Sequence, residues 1–107
     1  MTVIVNMRDR PDLRRLVEQR GDVDGLARID RRTRWGNPWA VGRDGTRAEV
    51  IERYRRDLWR RIRAGDIALE DLEAKTHYLC WCHPLPCHGT VLARAAAWAA
   101  TELGRST

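Results

Sequence analysis

"THYLCWCHPLPCHGTVLARAAAWAATEL", residues 76 to 103, is the stretch that decides how this chain folds. Thr76 to Cys82 has strand composition, and Pro84 and Pro86 are placed to end the strand. In a strand, side chains two apart share a face, so Cys80 and Cys82 point one way and Trp81 the other. From Thr90 the period changes. Leu92, Ala95, Ala96, Ala99 and Leu103 recur on one helical face, whose alanines let it lie close against a sheet. Strand, tight loop, helix is the grammar of an open α/β sheet, in which ligands sit beyond the carboxyl ends of the strands.

Working outward, "TRAEVIERYRRDLWRRIRAG" (46–65) carries the clearest helix signals. Thr46 and Glu49 form a capping box, Val50, Ile51, Tyr54, Leu58 and Ile62 make the apolar face, and Gly65 marks the stop. The opposite face holds Arg47, Arg53, Arg56, Arg60 and Arg63. "TVIVNM" (2–7) reads as a buried first strand, and "RPDLRRLVEQRG" (10–21) as a helix begun by Pro11, with Leu13, Leu16 and Val17 on one face. Residues 22–34 fit a brief strand over Leu26 to Ile29 or an exposed connection, and 67–75 a short amphipathic segment. The expected fold is one α/β domain over residues 1–107, with a small, mostly parallel, Rossmann-like sheet flanked by helices.

Composition narrows the function class. The chain has 107 residues and is 43% hydrophobic and 33% charged, which excludes a disordered chain. Net charge is +5, and 19 of the 20 cations are arginine, whose planar fork suits phosphate and carboxylate. A high-GC genome accounts for the same bias. Five tryptophans stand beside two tyrosines and no phenylalanine. Three cysteines, an odd count, argue against a secreted disulfide scaffold, and no apolar run reaches the roughly 20 residues of a membrane span. The expectation is a cytoplasmic protein with no membrane partner.

The eleven residues "CWCHPLPCHGT" (80–90) hold all three cysteines and two of the three histidines. Several chemistries compete for them. Cys80, Cys82, Cys87 and His88 have the donor types for zinc, although one residue between Cys80 and Cys82 is closer than the usual spacing of two to four. Cys87 at a helix start is a candidate low-pKa nucleophile, with His88 or His83 as base, and a Cys82–Cys87 disulfide is a further option. The backbone of residues 86–90 is also placed to hold a phosphate or carboxylate, with Gly89 admitting close approach and Thr90 beside it. The plainest alternative is that small cysteines pack beneath the loop while the prolines fix its path.

Two segments together carry a resemblance. "RWGNPWAVGRDGTRAEVIERYRRDL" followed by "LCWCHPLPCHGTVLA" resembles the family called domain of unknown function 4326, found in bacteria and their phages. The likeness spans about residues 29 to 97, and the opening "VIVNMR" is similar to the family's first strand. Trp39 stands where phenylalanine is common, His83 where lysine is frequent, and residues 8 to 28 match nothing. No established activity comes with the family. The resemblance implies that residues 35–38 and 80–89 form one recurring design, and hence that they meet around one cleft. There Trp35 would stack on a base or sugar or cap the core from a rigid turn, Gly36 would admit a close approach, and Asn37 would read a donor–acceptor pair or brace its own turn. Arg31, Arg32, Arg34 and Arg43 flank the motif.

The expected function is therefore a small domain that binds or acts on a nucleotide-like or phosphorylated molecule where the WGNP turn meets the Cys-His-Gly helix start. Cys87 and His88 are its reactive candidates. Two other classes fit the residues: an arginine-rich nucleic-acid-binding module with Trp35 or Trp39 stacking on bases, and a phage factor docking on a host protein.

Overall fold

The computed structural model describes residues 2–22, 25–30, 33–83, 85 and 87–104. Pro84 and Pro86, expected to end a strand, and Arg31 and Arg32, expected beside the turn, lie outside the described residues. Three strands form one parallel sheet: β1 (Val3–Asn6), β2 (Leu26–Arg28) and β3 (His77–Cys80), in the order β1-β3-β2. Four helices accompany them among the described residues: α1 (Pro11–Arg20), α2 (Arg47–Arg63), α3 (Leu69–Glu73) and α4 (His88–Glu102). The expected α/β class is what forms.

Strand alternation sorts the core into two layers. Ile4, Ala27, Ile29, Tyr78 and Cys80 face the larger layer with Tyr54 and Leu58 of α2, Leu72 of α3, and Leu92, Ala95, Ala96 and Ala99 of α4. Val5, Leu26, Leu79 and Trp81 face the smaller one, with Met7 and with Leu13 and Val17 of α1. The brief strand read at Leu26 forms, because parallel pairing of Leu26–Arg28 with His77–Leu79 satisfies its backbone. Helix α1 is shallower than its pattern implied. Val17 is buried, whereas Leu16 is exposed.

The capping box forms as read: Thr46 Oγ1 accepts from Glu49 N at 3.2 Å, and Glu49 Oε1 accepts from Thr46 N at 3.0 Å. Val50, Tyr54 and Leu58 are buried, and Ile51 and Ile62 pack at the core's margin. Strand β3 is shorter than expected and ends at Cys80. Its partner β1 stops at Asn6, opposite Cys80, and the Asn6 amide takes over there. Asn6 Nδ2 donates to the carbonyls of Trp81 (3.1 Å) and His83 (2.9 Å), while Oδ1 accepts from Arg8 N (2.9 Å). Helix α1 follows β1 on one face and α4 follows β3 on the other, so the chain diverges between these two strands. In many open sheets that divergence leaves a ligand crevice. Here the Asn6 amide bridges the end of β1 to the bend after β3, and the described cleft is lined from the α2–α4 side.

Candidate functional site

A cleft of about 450 Å³ opens beyond the carboxyl ends of β2 and β3. One wall is Ile29 and Asp30, just after β2. Cys80, Trp81 and Cys82 form a second, and Cys87 and His88, at the start of α4, a third. Across from them stand Asn37, Trp39 and Val41, with Arg47, Val50 and Ile51 from the first turns of α2. The expected meeting of the WGNP turn with the cysteine segment is present in part: of residues 35–38, Asn37 lines the cleft, joined by Trp39 just after the motif.

The turn is held by its own hydrogen bonds. Asn37 is buried; Nδ2 donates to the Val50 carbonyl at 3.2 Å and Oδ1 accepts from Trp39 N at 3.0 Å. Both ends of this amide brace backbone, so Asn37 positions its neighbour rather than reading a ligand. Asp44 Oδ2 accepts from Ala40 N at 2.8 Å, and Arg43 donates to the Pro38 carbonyl at 3.0 Å. The product is a fixed seat for Trp39, which is half-buried on the cleft wall.

Trp35 goes elsewhere. It is 1% exposed in the core, its carbonyl accepts from Tyr54 Oη at 2.8 Å, and the Arg34 guanidinium covers its ring at 4.7 Å. Of the two readings of Trp35, the structure therefore forms the core-capping one rather than the stacking one, and of the two tryptophans in this turn Trp39 is the one that reaches the cleft. Arg34 and Gly36 line a separate polar depression with Arg60 and Arg61. Thr90 is exposed, its amide bonded to the Cys87 carbonyl at 3.2 Å, and it is not on the cleft wall. Gly89 is buried. A β-carbon there would stand 3.0 Å from Ile29 Cδ1 and 3.3 Å from Ile4 Cγ2, so this glycine serves close helix–sheet packing rather than an approaching anion.

The cysteines converge. One sulfur each from Cys80, Cys82 and Cys87 lies within 4.8 Å of the others, and all three residues are free thiols on the cleft wall. Cys80 is fixed by the end of β3, Cys87 is the N-cap of α4, and Cys82 comes from the bend that Asn6 braces. Thiol hydrogen bonds from Cys82 and then Cys87 pull Cys80 strongly toward the thiolate, aided by the His83 N–H at 3.4 Å. Cys82 is pushed up, chiefly by its hydrogen bond to the Cys80 sulfur and then by the one to Cys87, both of which favour the protonated thiol, with burial adding to the effect. Cys87 is also pushed up, first by Cys80. The direction for Cys87 is thus upward, opposite to that expected for a thiol at a helix start. The Cys87 side chain makes no capping hydrogen bond, and the pull of the Gly89 amide is outweighed.

His88 does not join the thiols. Its Nε2 lies 2.6 Å from the Ile29 carbonyl, the Trp35 backbone also favours the charged ring, and Tyr54 packs edge-on at 4.8 Å. Burial outweighs those backbone contacts and lowers its pKa, so the ring is a neutral brace between β2, α2 and α4. The four-ligand set expected for zinc becomes a set of three, because among the described residues the donor atoms that lie close together are those of Cys80, Cys82 and Cys87, without His88. The three cysteines could bind a metal ion.

The sequence of residues 14–98 matches the family described as Domain of unknown function (DUF4326). The chain belongs to this family. It is also similar to the "Uncharacterized 12.4 kDa protein in nrdA-td intergenic region" of Enterobacteria phage T4, with 43% identity over 68 residues. That alignment covers 61% of this chain and 61% of the phage protein. No solved structure matches the chain. Every residue lining the cleft falls inside the span matched to DUF4326.

Sequence reasoning missed three contributors in this DUF4326 chain. Asn6 shapes the cysteine bend from 75 residues away, and only a polar residue ending an apolar strand signalled it. Arg47 and Val41 reach the cleft from positions that read as helix surface and loop. No helix among the described residues is long and apolar enough to cross a membrane.

Proposed function

We propose that this protein binds a small nucleotide-like molecule in the Trp39 cleft, beside a zinc ion held by Cys80, Cys82 and Cys87. The observation that carries the reading is the convergence of three sulfurs within 4.8 Å on the wall of a ligand-sized space. Zinc bound at about 2.3 Å from each sulfur in a tetrahedron needs sulfurs about 3.8 Å apart, a contraction that small side-chain rotations supply. The donor chemistry favours a soft or borderline cation over magnesium or calcium. Within the cleft, Trp39 offers a face for a planar ring, and Arg47 a guanidinium for a phosphate. The mostly apolar lining of Ile29, Val41, Val50 and Ile51 would exclude water around the ring.

The test is elemental analysis of protein purified without added metal, followed by a nucleotide panel scored by melting temperature. About one zinc per chain is expected, together with stabilisation by at least one nucleotide that Trp39→Ala abolishes. A fully folded, metal-free protein whose melting temperature is the same with and without added zinc refutes the metal half. A panel without any shift refutes the ligand half.

A further inference from the structure

We infer that the fourth ligand of an ion at Cys80, Cys82 and Cys87 comes from outside the chain, as the sulfur of a thiol-bearing small molecule seated in the cleft. This rests on the reading of the three cysteines as a metal triad and deepens it by naming the donor.

No histidine or carboxylate joins the sulfurs among the described residues. Among the described residues, the close cluster of metal-ligating side chains is the three cysteines alone. His88, one residue from Cys87, is not part of that cluster, and its Nε2 lies 2.6 Å from the Ile29 carbonyl. Asp30, on the same cleft wall, is paired with Arg28 at 2.7 Å. The triad also sits at the border between protein and open cleft: all three cysteines contribute to the wall, so its unpacked side faces space for a ligand. Three protein ligands with one position left to a small molecule is the pattern of ligand-exchanging zinc, whereas structural zinc is closed by four.

The softness of the triad selects the donor. A phosphate oxygen is a hard ligand that suits magnesium or calcium; a sulfur matches the softness of the other three ligands. When a thiol coordinates, its S–H proton passes to solvent and it displaces bound water, and the metal holds the sulfur as thiolate at neutral pH. No electrons are transferred. The body of the molecule would then lie along Trp39, Val41 and Ile51, in the place that the proposed function gives to the ring, so the thiol is a group carried by that same ligand.

Cobalt is the probe, since its visible spectrum reports the number of sulfur ligands. The full-length chain, reduced with a phosphine rather than a thiol, is loaded with Co(II) and titrated separately with 2-mercaptoethanol and with inorganic phosphate. The expected result is a saturable gain in sulfur-to-cobalt charge-transfer absorbance with 2-mercaptoethanol, and an unchanged spectrum with phosphate. A cobalt spectrum that 2-mercaptoethanol leaves unmoved overturns the inference while leaving the metal triad intact. A spectrum that responds to phosphate and not to thiol overturns the donor class. His83→Ala is the companion variant: its thiol-free cobalt spectrum should equal that of the parent, and a difference would make His83 the fourth ligand, which also overturns the inference. Failure to bind cobalt or zinc at all removes the metal reading itself, a distinguishable outcome.

Discussion

Gly89 shows how one missing β-carbon sets the geometry of the cleft. A methyl group there would stand 3.0 Å from Ile29 Cδ1, 3.2 Å from Cys87 Sγ and 3.3 Å from Ile4 Cγ2. All three are tighter than a relaxed contact, and the two isoleucines belong to the sheet side of the core. Gly89→Ala should therefore destabilise the fold by about 1–3 kcal/mol through overpacking, measured as a lower urea midpoint with an unchanged slope. The two buried tyrosines give an opposed pair. Tyr54 donates to the Trp35 carbonyl at 2.8 Å, whereas the Tyr78 hydroxyl is buried without a partner among the described residues. Tyr54→Phe should cost about 1 kcal/mol or more, because the Trp35 carbonyl is left without its donor. Tyr78→Phe should be neutral or stabilising, because it removes a group that burial has already stripped of water. Equal losses in the two variants would show that Tyr78 has a partner after all. The glycine's type was legible in the sequence, but its purpose was not. Phosphate cradles and close helix packing both call for glycine, and only the neighbouring side chains distinguish them.

Among the elements, α2 was the most legible because its signals are local. A capping box depends on two residues three apart, and the apolar face repeats within the helix itself. Its burial is graded: Leu58 is fully buried, while Ile62 packs against the core from its margin. Leu58→Ala should cost about 2–5 kcal/mol and Ile62→Ala distinctly less, read by chemical denaturation. Similar losses at both positions would mean that the last turns of α2 are as enclosed as its middle. Strand β3 and the WGNP turn were harder for a common reason. The strand ends where its partner ends, a fact held by Asn6 and Cys80 across the sheet rather than by the residues that follow. Trp35 and Trp39 are four apart in a loop with no period, so no rule of alternation tells which turns inward. The decision lies in the bonds of Asn37 to Val50 and to Trp39.

At the scale of the whole molecule, the sheet divides two layers that meet the cysteine triad differently. Cys80 closes the central strand, Cys87 opens α4, and Cys82 lies in the bend between them, so a metal here would fasten the strand, the bend and the last helix together. Helix α1 lies across the sheet, in the smaller layer with Met7, Leu26 and Leu79. Metal binding is coupled to folding through the elements that carry the ligands, and the thiolates left behind by a departing ion repel one another until two are protonated. Removing the metal with a chelator should therefore be felt unevenly. Hydrogen exchange followed by mass spectrometry should show faster exchange at residues 80–83 and in the first turns of α4, with α1 changing far less. Protection of that helix is set by packing on the opposite face, around Val17. The contrast separates two roles for the triad. A uniform rise in exchange over both layers would mean that the ion holds up the whole fold, as structural zinc does. Exchange unaltered at residues 80–92 in protein shown to have lost its zinc would mean that cysteine packing alone fixes the loop, and the ion, where present, is only a passenger on it.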